Sequence, residues 1–71
     1  MKCRILHESK NRIRVRAVQY RMSFDEADIW EAYLKLVPGV TDAAVYDRTG
    51  DAVVTYSCPR ERMIDALACF S

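Results

Sequence analysis

The sequence lacks the features that most directly assign a catalytic function. It contains a single histidine, and its serines fall in predicted caps and turns, so no Ser-His-Asp arrangement is predicted. With two glycines it has no glycine-rich phosphate-binding loop. No apolar run approaches the roughly 20 residues that a membrane-spanning helix needs, and the N-terminal segment has no signal-peptide core. We therefore assign no catalytic residue and expect no export signal within this segment.

The sequence also has no large excess of positive or negative charge. Eleven lysines and arginines stand against ten acidic residues, for a net charge of +1, which argues against binding nucleic acid or a membrane surface by bulk charge. The 71 residues are 51% hydrophobic, which predicts one globular domain over residues 1–71. The cysteines are odd in number and widely spaced, which favours reduced thiols in a cytosolic setting; they are Cys3, Cys58 and Cys69.

Two strands are predicted at the start of the chain. Residues 2–7 favour an extended strand that places Cys3 and His7 on the same face, and a polar turn follows. In residues 12–18 basic and apolar residues alternate, so that one face is buried and the other carries a row of arginines. That row consists of Arg12, Arg14 and Arg16.

The first helix has clear boundaries in the sequence. Ser23 and Glu26 have the spacing of a capping box, and the Pro38-Gly39 pair ends the helix, which predicts a helix over residues 24–36. Its buried stripe is predicted to consist of Ala27, Trp30, Leu34 and Val37.

The second half repeats the strand and helix pattern. We predict strands over residues 40–46 and 52–56, a hairpin turn over 47–51, and a helix over 59–70 that begins at proline. This helix is predicted to bury Met63, Ile64, Leu67 and Phe70. The order ββαββα predicts an α+β fold, a ferredoxin-like split βαβ sandwich with two helices on one face of an antiparallel-rich four-stranded sheet. Residues 2–7 are expected to occupy the edge beside residues 12–18.

Three segments resemble a known family. Residues 7–16 (HESKNRIRVR) are similar to the H-E…G-R-x-R-x-R opening of the second class of heavy-metal-associated domains. Residues 34–40 (LKLVPGV) and 46–56 (YDRTGDAVVTY) resemble its L-x-x-x-P-G-V and T-G-x-x-x-V-x-Y segments. The resemblance implies an excised N-terminal domain of a heavy-metal-translocating P-type ATPase, on the cytoplasmic side of an integral membrane protein. The other domains of that ATPase would be its partners, in a regulatory or docking role.

The chain departs from this family at the metal site. The positions of the usual Cys-x-x-Cys motif hold Phe24 and Ala27, and neither side chain can coordinate an ion. Zn(II) or Cu(I) would need other ligands, and the candidates are Cys3, His7 and Cys58. A strand separates Cys3 from His7 by roughly 13 Å, so one ion could hold both only if the strand breaks or two chains meet. The simpler interpretation is that the cysteines are small apolar fillers and His7 an ordinary polar residue.

The arginine row supports two interpretations. Arg12, Arg14 and Arg16, with Arg4 as a further candidate, could form an interaction surface for an acidic domain or for anionic lipid headgroups. Alternatively, this is a solvated face balanced by acidic residues, which we favour on sequence alone because exposed ion pairs are usually weak. Those acidic residues are Asp42, Asp47 and Asp51.

Two further hypotheses concern partners. The domain could be a stand-alone interaction or dimerisation module that forms homo-oligomers through its sheet edges. An RNA-binding sheet would need stacking aromatics on its central strands, whereas Tyr46 is the only aromatic expected on the open side. We therefore expect no nucleic-acid partner.

Overall fold

The computed structural model describes residues 2–18 and 22–70. In these residues the element order is ββαββα, which confirms the predicted α+β class. The elements are β1 (Cys3–Ser9), β2 (Arg12–Ala17), α1 (Phe24–Leu36), β3 (Val40–Tyr46), β4 (Asp51–Tyr56) and α2 (Arg60–Cys69). No helix in this part of the chain is long and apolar enough to cross a bilayer.

The four strands form one open sheet in the order β1-β2-β4-β3, and every neighbouring pair is antiparallel. β1 therefore lies at the edge beside β2, as the sequence predicted. β2 and β4 are the two central strands, and the hydrogen bond from the Tyr56 N–H to the Asn11 carbonyl, at 2.9 Å, continues their pairing beyond the ladder.

The core lies on the face of the sheet to which the apolar residues of β2 point. Ile13 and Val15 are fully buried while the arginines between them are exposed, which confirms the predicted alternation. Both helices contribute to this same core, which also holds Ala43, Ala52, Val54 and Tyr56 from the second hairpin. The helical members are Ala27, Trp30 and Leu34 of α1 and Met63 and Leu67 of α2.

The beginning of α1 follows from local hydrogen bonding. The Ser23 hydroxyl accepts from the Glu26 N–H at 3.1 Å, and the Glu26 carboxylate accepts from the Ser23 N–H at 3.0 Å. This confirms the capping box and the predicted bounds of the helix. Met22, just before the cap, and Ala27, in the first turn, are both buried, at the positions of a hydrophobic staple that the sequence prediction missed.

Contacts between aromatic side chains join the two helices. Phe70 lies 6.2 Å from the Trp30 ring and 4.9 Å from the Tyr33 ring, between ring centroids. The Tyr33 hydroxyl donates to the Ala66 carbonyl at 2.8 Å. The Trp30 indole N–H is buried and has no acceptor among residues 2–18 and 22–70.

The second helix differs from its prediction in detail. It begins at Arg60, because Pro59 is its N-cap, and ends at Cys69. Ile64 and Phe70 pack against the core but are only partly buried. Val37, at the end of α1, is also only partly buried. These three positions lie at the margin of the helix–sheet interface, where periodicity alone overestimates burial.

The turn after α1 requires glycine. Gly39 has φ of +94°, and a Cβ on it would lie 2.5 Å from the Cys58 Cβ. No side chain fits at that separation, so only glycine allows the backbone of this turn to pack against the Cys58 side chain.

β1 is irregular in the middle, and this corrects the prediction for His7. Cys3 and Ile5 pair with Ala17 and Val15, which face the core, but after a register shift His7 pairs with Arg14, which faces away. A β-bulge at Leu6 inserts one residue, so that the alternation reverses beyond it. Cys3 and His7 therefore lie on opposite faces of the strand.

Candidate functional site

The candidate site is the sheet face opposite the helices, which we call the open face. Its residues follow from the register of the four strands, and from β1 to β3 they form three rows. The first row is Arg4, Arg16, Asp51 and Tyr46; the second is His7, Arg14, Val53 and Ala44; the third is Ser9, Arg12, Thr55 and Asp42.

Two arginines of β2 converge on one carboxylate of β4. Arg14 donates to Asp51 Oδ2 through Nε at 3.1 Å and Nη2 at 2.9 Å. Arg16 donates through Nε to Oδ1 at 2.6 Å and through Nη2 to Oδ2 at 3.2 Å. We call these three residues the arginine–aspartate cluster. The Asp51 side chain is 1% exposed while those of the arginines are 45% and 47% exposed, so other side chains cover the carboxylate on the open face.

The cluster holds Asp51 in its ionised form. The hydrogen bond from Arg16 lowers the pKa of the Asp51 carboxyl, burial opposes this by raising it, and Arg14 adds to the lowering. In return the same hydrogen bond and the charge of Asp51 raise the pKa of the Arg16 guanidinium. One carboxylate therefore binds two guanidinium groups that remain half exposed, and the net charge of the cluster is +1.

Tyr46 borders this cluster on β3. The Arg14 guanidinium carbon lies 5.8 Å from the centre of the Tyr46 ring, within the range of a cation–π contact. Tyr46 is 49% exposed and faces the open side. It stands on an edge strand, whereas the open-face residues of β2 and β4 are not aromatic. An RNA-binding sheet would need aromatics on those two central strands.

The predicted interaction surface is therefore on one face, but its three arginines are not equivalent. Arg14 and Arg16 are bound to Asp51, whereas Arg12 forms no ion pair with any residue of 2–18 or 22–70. Arg4, which the row aligns with Arg16, has none either in this part of the chain.

The predicted balance by three aspartates is corrected as well. Asp51 is the first residue of β4 and not part of the turn, because it pairs with Arg16 in the sheet. Asp42 and Asp47 form no ion pair within the described ranges, so Asp51 alone neutralises arginine charge on this face.

The metal-ligand candidates lie apart. Cys3 is beside Ala17 at one end of β2, and Cys58 follows β4 at the other end, beyond Tyr56 and Asn11. Five residues of strand separate these ends, or roughly 17 Å, so the two thiols cannot share an ion within one chain. Among the residues that the structure describes, no group of three His, Cys, Asp or Glu side chains could hold a metal.

The positions of the family's usual metal motif carry no ligand atom. Phe24 is the first residue of α1 and 75% exposed, while Ala27 is buried in the core. Cys3 is half-buried, and burial raises the pKa of its thiol, an effect that the positive N-terminus partly offsets. A raised pKa lowers the fraction of thiolate, which is the form that binds metals.

A second surface feature lies between the helices. It is an apolar groove of about 430 Å³, and the exposed Leu36 (83%) stands at its margin. Its lining comes from the end of α1 and from α2: Tyr33, Leu36, Val37, Pro38, Arg62, Asp65, Ala66 and Cys69.

Comparison of the chain with known protein families, with characterised proteins and with solved structures finds no match. The function must therefore be argued from the site itself.

Sequence analysis placed Asp51 in the turn among the acidic residues that balance the arginines, and it did not predict that Asp51 is buried in β4 opposite Arg16. For Asp51 the signal was available in the strand pairing: once β2 and β4 are aligned, an acidic residue directly after the turn lies opposite Arg16. Arg4 pairs with Arg16 and lies on the open face, as its alternation with Cys3 and Ile5 predicts.

Proposed function

We propose that this chain is a regulatory or docking domain of a heavy-metal cation-transporting P-type ATPase, on the cytoplasmic side of the membrane. It acts through its open face, which binds an acidic surface on another domain of the transporter. It does not capture metal through the motif that such domains usually carry.

The topology supports a ferredoxin-like arrangement. β2, α1 and β3 form a split βαβ unit, because β4 lies between the two strands that α1 connects. That insertion is the defining feature of the split βαβ motif. In this interpretation β1 takes the edge position that a final strand after α2 would otherwise fill.

The open face is the observation that carries the docking role. Four arginines stand on it against two aspartates, and two of the arginines, Arg4 and Arg12, have no ion pair within residues 2–18 and 22–70. Guanidinium groups bind carboxylates in a bidentate manner. The arginine–aspartate cluster supports this role, since it holds two more guanidinium groups in place while they remain half exposed.

The resembling segments support the transporter context. Residues 7–16 and 46–56, two of the three segments similar to heavy-metal-associated domains, contain the whole arginine–aspartate cluster and the Tyr46 ring beside it. The exposed Phe24 and buried Ala27 favour a role without direct metal capture, because neither position offers a ligand atom.

The test has two stages. First, the gene that encodes this chain should encode membrane segments and an ATPase core in the same protein; a reading frame without them contradicts the transporter context. Second, in that transporter the double variant Arg4→Glu and Arg12→Glu should lower metal-stimulated ATP hydrolysis several-fold.

The matched control changes the same charge elsewhere. Arg48 lies in the β3–β4 turn and Arg62 on α2, both exposed. Arg48→Glu with Arg62→Glu should leave hydrolysis near the wild-type rate. Equal losses in the two double variants would show that net charge, and not docking by the open face, controls the activity.

The second candidate is a stand-alone dimerisation module, and the edge position of β1 favours it. Ile5 and Leu6 are 42% and 39% exposed on this strand, and an unpaired edge can add a strand from a second copy. The bulge at Leu6 opposes such pairing because it disrupts the ladder. Light scattering at increasing protein concentration separates the cases: a stable dimer that Leu6→Lys converts to monomer would favour this candidate.

A further inference from the structure

A small polar depression lies on the open face between β1 and β2. Its volume is about 180 Å³, and its lining consists of His7, Ser9, Arg12, Arg14 and Val53. The bulge in β1 creates this set, because it turns His7 and Ser9 to the side of the arginines with which they pair. An unbroken strand would place both under the helices.

The depression has only one sign of charge. None of its lining residues is acidic. Asp51 is bound to Nε and Nη2 of Arg14, which leaves the Nη1 group of that guanidinium without a carboxylate. Glu8, the acidic residue nearest in sequence, pairs with Arg60 of α2 on the opposite side of the sheet.

Four side chains on the two neighbouring strands β1 and β2 supply donors to the depression. Arg12 contributes a whole guanidinium that has no ion pair among residues 2–18 and 22–70, and Arg14 contributes its remaining amino group. His7 adds an imidazole N–H, and Ser9 adds a hydroxyl, which otherwise makes only a long 3.5 Å contact to the Arg12 carbonyl. A single arginine satisfies a planar carboxylate, whereas a phosphate group has three terminal oxygens that accept from separate donors.

We propose that this depression binds the phosphate group of a soluble phosphate monoester. Arg12 supplies the main charge, Arg14 and His7 flank the group, and Ser9 donates to a further oxygen. Apart from Val53 the lining offers no apolar surface, so the phosphate itself is the recognised part of the ligand. The inference goes beyond the proposed docking function, since it requires no partner domain and no transporter.

The test is an NMR titration of the 71-residue chain with inorganic phosphate at constant ionic strength. Saturable shifts are expected for the backbone amides of residues 7, 9, 12 and 14, and O-phosphoserine should produce the same pattern. Arg12→Gln should weaken binding about tenfold or more, the loss expected from one charge-assisted hydrogen bond. Arg4→Gln is the matched control: it removes the same charge from the same face outside the depression, and it should change affinity less than about twofold.

Three results would overturn the proposal. Equal shifts with acetate would mean that any anion suffices. Equal effects of Arg4→Gln and Arg12→Gln would mean that the whole face attracts anions without a site. Binding to vesicles that contain phosphatidic acid, without shifts from either soluble probe, would assign the surface to membranes. This titration measures phosphate binding by the chain alone, whereas the docking test measures ATP hydrolysis by the whole transporter, so failure of this inference is distinguishable from failure of the proposed function.

Discussion

Replacing Asp51 by Asn tests the arginine–aspartate cluster directly. The amide has nearly the same shape but no charge, and its NH2 group faces a guanidinium N–H where a carboxylate oxygen accepted before. Hydrogen bonds to charged groups contribute about 1.5–3 kcal/mol each, but both arginines are half exposed and can turn to water. We therefore expect the free energy of unfolding to fall by about 1–3 kcal/mol in total.

Urea denaturation followed by the fluorescence of the single tryptophan measures this change. A loss of about 2 kcal/mol corresponds to a fall in Tm of roughly 10 °C for a domain of this size. The pH dependence gives an independent check. The folded-state pKa of Asp51 is lowered from its ordinary value of 3.8. Its contribution is therefore fully present above about pH 4 and is lost as the pH falls through the folded-state pKa.

The difference between wild type and Asp51→Asn should accordingly be constant near neutral pH and shrink on acidification below pH 4. Asp42→Asn is the control, since Asp42 is an exposed residue of the same face without an ion pair in the described ranges. It should change stability by less than about 0.5 kcal/mol. The cluster does not stabilise the fold through its charge if Asp51→Asn and Asp42→Asn lower the free energy of unfolding by equally small amounts. The same conclusion follows if the stability difference between wild type and Asp51→Asn is unchanged at low pH.

Three further predictions concern the core, the turns and the thiols. Trp30→Ala removes a fully buried side chain and should cost about 3–5 kcal/mol, enough to abolish cooperative thermal unfolding measured by circular dichroism. Gly39→Ala should destabilise the domain more than Gly50→Ala in urea denaturation: both have positive φ, which costs about 1–2 kcal/mol, but only the first meets a side chain at 2.5 Å. Equal losses would refute the steric argument. Iodoacetamide should modify Cys69, which is exposed, before Cys3, whose pKa is raised by burial; peptide mapping by mass spectrometry that finds Cys3 modified first would contradict this.

Much of the fold was predictable because local signals agree. The strict alternation in β2, the capping box at Ser23 and the Pro38-Gly39 pair each define one element through its own residues, and the structure has these elements where the sequence predicted them. The pairing of β1 with β2 followed from the short turn between them.

The missing parts depend on neighbours that the sequence does not place. The bulge at Leu6 leaves no trace in the composition of β1, since an apolar residue is acceptable on either side of an edge strand. The burial of Asp51 is produced by side chains of β2 that cover it, so its own surroundings in sequence resemble an ordinary turn. The depression on the open face depends on both the bulge and the pairing, and it was not predicted for that reason.

The edge position of β1 has a consequence for local stability. None of its seven residues is fully buried, so we expect this strand to detach at a lower free-energy cost than the central strands. Its amide hydrogens should then exchange through a low-energy local opening, far faster than those of β2 and β4. A phosphate bound between His7 of β1 and Arg14 of β2 would hold the two strands together. Phosphate binding should therefore slow the exchange of the amide hydrogens of β1 and leave the other strands unchanged.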